Sequence, residues 1–186
     1  AQRQIVWVYA LGETLRKVGF SSKVEAYINF HKISAVNIPN AILDEHSKQM
    51  GFLAEQRKIS EFQQLQLNET ITKLCDSMGK CERIKNTVFP RAYSLLLHTL
   101  IYVFTILVPF GLEHSQFTIQ IILSILIPIM FIAIEKTAIM MQDPFENTPV
   151  DTPMTSLALT IEINIKQMIG EDEIPQKKDN ELYFEM

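Results

Sequence analysis

The side chains able to make and break bonds are few in this sequence, and poorly spaced for it. Cys75 and Cys81 are separated by five residues, which is neither a zinc nor a dithiol spacing. His31, His46, His98 and His114 are scattered with no ligand spacing among them. His98 stands apart because it lies in a long apolar run, where an imidazole is costly and faces protein or water. It reads as one half of an interhelical hydrogen bond, with a pore or proton role as the alternative. Glu135 and Lys136 are adjacent, so they face different sides of a helix and mark a membrane–water boundary rather than an ion site. Asp143, Glu146 and Asp151 could offer oxygens to a hard cation, but their spacing is too sparse for a strong calcium loop and reads as helix caps and solvated turn acids. There is no glycine-rich phosphate loop, nucleophile elbow or catalytic pair of carboxylates. The sequence therefore predicts no catalytic residues, no metal and no cofactor, and not an enzyme.

The elements that would position these residues are dominated by one apolar block. The 186 residues are 47% hydrophobic and 20% charged, with a net charge of −4. That charge argues against nucleic acid as a partner, since such binding rests on clustered Lys and Arg. The apolar residues are concentrated. Ala92 to Leu112 contains no Asp, Glu, Lys or Arg, and after Glu113–Gln116 neither does Phe117 to Ile134. About 20 helical residues cross a hydrocarbon core of about 30 Å, so the two runs predict a transmembrane hairpin rather than buried helices of a soluble protein. Pro128 predicts a kink, and Pro109 helps to end the first span. Lys80, Arg83, Lys85 and Arg91 precede the hairpin and Lys136 follows it, while its turn has no basic residue. The positive-inside rule then places both flanks in the cytoplasm. The sequon at Asn68 would go unused there.

Before the hairpin, four helices are expected. Ile5, Val8, Tyr9, Leu11 and Leu15 make an apolar stripe ended by Gly19. Ser22 to Ile33 forms a second helix, and a turn at Asn37–Asn40 starts a third near Ala41 to Lys58. Ser60 caps a fourth, with Phe62, Leu65, Leu67, Ile71 and Leu74 on its apolar side and Gly79 ending or bending it. After the hairpin, Asp143 to Pro153 has turn chemistry throughout. Thr152 starts a last helix, Pro153 is its first residue and Gly170 its stop. Leu157, Leu159, Ile161, Ile163 and Ile165 alternate like a strand, but Leu157, Ile161, Ile165 and Met168 also fit a helix, and the caps decide for helix. Glu171 onwards reads as an extended acidic tail. The expected organisation is a cytoplasmic helical region at 1–87, a transmembrane hairpin at 88–141, and a cytoplasmic turn, helix and tail at 142–186. The fold class is an all-α membrane protein.

Two stretches carry a family resemblance. CERIKNTVFPRAYSLLLHTLIYVFTILVPFGL, beginning at Cys81, resembles the third-span region of the bacterial bestrophin-like (YneE-type) channels. QDPFENTPVDTP with the following IEINIKQMIGEDEIP resembles their Pro-Phe turn and its ensuing helix. Cys81, Glu82, Arg83, Asn86, Pro90, Pro144, Phe145, Asp151 and Pro153 are the motif positions matched. Family members are longer, so the chain resembles their C-terminal portion, without the spans that line the pore neck. The resemblance implies a homopentamer in the bacterial inner membrane, in contact with lipid and passing monovalent ions without a catalytic cycle. It also implies a cytoplasmic aperture formed by one apolar residue per subunit, which counting back places near Phe62, with Leu65 as the nearby alternative. An apolar ring can gate by dewetting. Phe62 could equally be a core residue of a helical bundle. Eukaryotic members carry an acidic calcium clasp after the Pro-Phe turn. Here Glu146-Asn147-Thr148-Pro149-Val150-Asp151 lacks most of its carboxylates, which predicts a channel not gated by calcium. The expected function is a chloride-channel-like pentamer. The alternatives are a monovalent-cation-selective channel of the same fold and a membrane-anchored scaffold or signalling subunit.

Overall fold

The computed structural model describes residues 1–87, 91–111, 117–149 and 151–176. Pro90, the hairpin turn at Glu113–Gln116 and the end of the acidic tail lie outside the described residues. Among those described there are seven α-helices and no strand. They are α1 (Gln2–Arg16), α2 (Ser22–His31), α3 (Ile38–Glu55), α4 (Glu61–Asn86), α5 (Arg91–Gly111), α6 (Phe117–Met140) and α7 (Met154–Ile169). The chain divides into two units, one built from α1–α4 and α7 and the other from α5 and α6.

In the first unit α1 is the central element. Ile5, Val6, Trp7, Val8, Ala10, Leu11 and Leu15 are all buried, wider than the expected stripe, because α1 packs on α2, α3, α4 and α7. A helix apolar nearly all round is one that is covered all round. Val24 and Tyr27 of α2, Ile42 and Leu43 of α3, Met78 of α4, Ala158 of α7 and Phe145 complete this core. Gly12 sets the spacing of α1 and α7, since a Cβ there would sit 3.2 Å from Met154 Cβ.

The helix ends show how the local chemistry acts. α1 stops at Lys17, not at Gly19: Lys17 takes the left-handed conformation (φ 54°) and Val18 N–H reaches Glu13 O at 3.1 Å. α3 starts earlier than Ala41 because Asn37 Oδ1 accepts from Asn40 N–H at 3.0 Å, with Pro39 in the first turn. Ser60 and Gln63 form a reciprocal box, Gln63 N–H donating to Ser60 Oγ (3.2 Å) and Ser60 N–H to Gln63 Oε1 (2.9 Å), which satisfies two otherwise orphaned donors. Gly79 does not end α4, which continues to Asn86. α7 begins at Met154, with Pro153 at its N-cap position and Thr152 outside it, and ends at Gly170 (φ 71°). Its buried positions are Ala158 and Glu162. Leu157 and Met168, expected on the inner face, are exposed. The close approach at Gly12 favours the small Ala158 there instead.

The second unit is an antiparallel pair whose polar links among the described residues include these three. Gln142 Nε2 donates to Thr87 O (2.6 Å), His98 Nε2 lies 3.1 Å from Glu135 Oε2, and Gln120 Nε2 donates to Pro109 O (3.2 Å). Both helices continue through their prolines, and Ala92–Gly111 and Phe117–Met140 are each long and apolar enough to cross a membrane. Leu95, Leu96, Ile106, Ile122, Ile125 and Ile129 face outward. Core helices of a soluble protein would bury that surface; helices in lipid would not need to.

Candidate functional site

Phe62 and Leu65 lie on the first turns of α4, three residues apart and hence on one face. Their exposures are 68% and 65%. Leu67 is exposed too, whereas Ile71, Leu74 and Met78 turn towards the core. The expected single stripe is therefore divided: the lower half of α4 is anchored, and the upper half presents apolar side chains to the outside of this chain. The capping box at Ser60 and Gln63 fixes the start of the helix one turn from Phe62.

The matched motif positions gather at the other end of α4, about 30 Å away at 1.5 Å per residue. Cys81 packs half-buried against the core. Glu82 Oε1 accepts from Asn37 Nδ2 at 2.8 Å, joining the last turns of α4 to the start of α3. Asn86 Nδ2 donates to Glu82 O within the helix (2.8 Å). Arg83 is on the exposed side. Lys85 Nζ reaches Phe145 O at 3.5 Å, which brings the Pro-Phe turn to this end of α4. Phe145 is buried in the core, and Pro144 O accepts from Thr152 N–H at 3.0 Å, closing the turn before Pro153. Asp151 holds that turn from inside. Its Oδ2 accepts from Thr148 N–H (2.9 Å) and its Oδ1 from Thr148 Oγ1 (2.7 Å). Burial works to raise its pKa, but the bonds from Thr148 and the neighbouring amides prevail and hold it below the usual value. Both carboxylate oxygens are thus used by the turn itself.

Two carboxylates that periodicity did not single out are buried. Glu162 of α7 is 3% exposed. It accepts from Tyr9 Oη (2.9 Å) and Lys23 Nζ (2.5 Å), with Lys166 Nζ at 3.4 Å. Burial opposes its charge, but the bonds from Lys23 and Tyr9 hold its pKa below the usual carboxylate range. Burial first, then the bond to Glu162, pushes the Tyr9 hydroxyl well above its ordinary value. The network ties α1, α2 and α7 together. Glu135 of α6 is also 3% exposed. Its Oε2 stands at ion-pair distance from His98 yet accepts no aligned hydrogen bond. The sequence signal for it was an acidic residue at the end of an apolar run facing a run with one imidazole.

Known proteins resemble the chain over most of its length. The family profile described as Bacterial/Fungal Bestrophin protein matches residues 1–167. The voltage-dependent anion channel-forming protein YneE of Escherichia coli (strain K12) is 32% identical over 181 residues, which is 95% of this chain and 60% of that protein. A voltage-dependent anion channel-forming protein of Mesorhizobium japonicum is 25% identical over 184 residues, 97% of this chain and 59% of its own length. The crystal structure of a bacterial bestrophin homologue from Klebsiella pneumoniae superposes with a TM-score of 0.77 at 26% identity, covering 92% of this chain and 67% of that one. The chain thus spans about 60% of the length of the curated relatives it matches.

Proposed function

Because the chain belongs to the bacterial/fungal bestrophin family of membrane proteins, we propose that it is part of the subunit of a passive anion channel, chloride being the natural test ion. The observation that carries this reading is the similarity to voltage-dependent anion channel-forming proteins over 95% of the chain, joined to two helices long enough to span. The channel is a homopentamer in the inner membrane, conducts monovalent ions between water phases, and keeps both flanks of the hairpin in the cytoplasm. The basic residues before α5 and Lys136 in the last turns of α6 support that orientation. Residues 1–87 and 142–186 are its cytoplasmic part and 88–141 its hairpin. No bond is made or broken.

Phe62, with Leu65 one turn on, supplies the narrow apolar ring of the cytoplasmic exit. Their exposure on a capped, otherwise anchored helix supports this role over a core role. An apolar ring binds ions weakly, so they leave quickly, and it closes by dewetting. Calcium does not gate the channel, because the turn after Phe145 spends Asp151 on Thr148.

A second reading, cation selectivity on the same fold, is favoured by the net charge of −4. Flux from liposomes under separate chloride and sodium or potassium gradients decides between them. Dissipation of the chloride gradient alone supports the anion channel, and dissipation of the cation gradient alone supports the second reading. No flux of any ion, together with a monomeric mass in detergent, sinks both and leaves a membrane-anchored scaffold.

A further inference from the structure

Helices α5 and α6 contain a single carboxylate, Glu135, and a single imidazole, His98, and the fold puts the two against each other. The Glu135 side chain is only 2% exposed, while that of His98 is 46% exposed. The separation of 3.1 Å is an ion-pair distance. No described group gives Glu135 Oε2 an aligned hydrogen bond, so His98 is the group placed to compensate that oxygen. A carboxylate buried in a membrane-spanning helix is expensive unless it is compensated in this way.

The pair also occupies a sensitive place. In lipid, apolar contacts between helices are matched by contacts with acyl chains, so polar links weigh heavily in holding helices together. His98–Glu135 and Gln120–Pro109 are such links between α5 and α6, and Gln142–Thr87 joins the segments just outside them. Gln142–Thr87 and Gln120–Pro109 are amide–carbonyl bonds that do not titrate. His98–Glu135 instead pairs two ionisable side chains. The other ionisable side chains described on these helices, Tyr93 and Tyr102 on α5 and Lys136 on α6, are exposed. Lys136 is about 100° around the helix from Glu135. None of them replaces His98 as the partner.

We propose that His98 and Glu135 form a proton-operated clasp between α5 and α6, closed while imidazolium and carboxylate carry opposite charge and loosened when either is neutralised. Removing a proton from His98 leaves a buried carboxylate facing a neutral ring. Adding a proton to Glu135 removes the negative charge that attracts the ring. The clasp is therefore tightest at intermediate pH and loosens on both sides. As a control of conduction it rests on the channel reading above; as a property of the hairpin it does not.

The test uses the purified full-length protein and its H98Q, H98R and E135Q variants, read two ways across pH 5–9. The first reading is amide hydrogen exchange of α5 and α6 in lipid nanodiscs, corrected for the intrinsic pH dependence of exchange. The second is chloride efflux from liposomes. Wild-type protection should fall on the alkaline side by roughly tenfold, the scale of one lost polar link. It should stay level in H98Q and E135Q. H98R, with a permanent cation, should lose only the alkaline change. Wild type and E135Q changing identically with pH in exchange would overturn the clasp, whatever the flux. A pH-dependent exchange with no flux at any pH keeps the clasp and removes the channel reading. Flux that is present and equally pH-dependent in wild type and H98R overturns the clasp as a control of conduction.

Discussion

Glu162 shows what a single side chain does when it is buried with its partners. Replacing it by Ala leaves the Tyr9 hydroxyl and Lys23 without this acceptor, at a cost of about 1–3 kcal/mol, while Lys166 keeps its bond to Glu173 O. Most of that belongs to Tyr9, since Lys23 is 43% exposed and screened. The folded-state pKa of Glu162 is depressed, so its contribution is complete above the unfolded carboxylate value and is lost as pH falls through the folded one. E162A should lower the midpoint of thermal unfolding in detergent at pH 7, and the difference from wild type should shrink in strong acid. His46 gives a separate signature. Burial, then the nearby charge of Arg3, lowers its pKa from 6.5 to about 4. The stability it confers is full above pH 6.5 and is lost as pH falls through about 4. A His46→Gln variant should remove this part of the decline in the same midpoint. An unchanged pH profile would show that His46 is more hydrated than its buried Nε2 indicates.

At the scale of elements, α4 matters most because it carries the proposed aperture residues near one end and matched motif positions at the other. Its first turn has no tertiary anchor: Glu61, Phe62 and Gln63 are exposed, and the first buried residue is Met78. The Ser60–Gln63 box is then what keeps that turn helical. Ser60→Ala should cost about 1 kcal/mol, and hydrogen exchange of residues 61–65 should accelerate while that of residues 74–86 stays constant. No acceleration at residues 61–65 would show that the upper half is held by something other than its cap. Helix existence and type were legible here. The capping residue of α4, the stop of α7 at Gly170 and the helical choice over the alternating Leu157–Ile165 run agree with the structure, because caps and breakers act within a few residues. The division of the α4 stripe was not legible. Phe62 and Ile71 look alike in a periodic pattern, and only the position of α3 alongside the lower half distinguishes them.

For the whole molecule, the proposed channel has its exit at exposed side chains of α4, and this is open to a direct test. Phe62→Ala should widen and wet the ring. Single-channel conductance should then rise by about twofold or more, or the ratio of chloride to sodium permeability should change. Identical currents and permeability ratios would remove Phe62 from the aperture and direct the same measurement to Leu65. The acidic net charge does not fix the ion, because selectivity depends on charges facing the pathway.

The sequence by itself determined the all-helical class, the two spans and the family. These follow from run length, local caps and ordered motifs, all of which act along the chain. Tertiary structure alone decided three things: that α1 is covered all round, that Glu162 serves three helices at once, and that Glu135 meets His98. Each depends on residues far apart in the chain arriving at one place. Burial of a charge is decided by what surrounds it, and a one-dimensional pattern does not contain the surroundings.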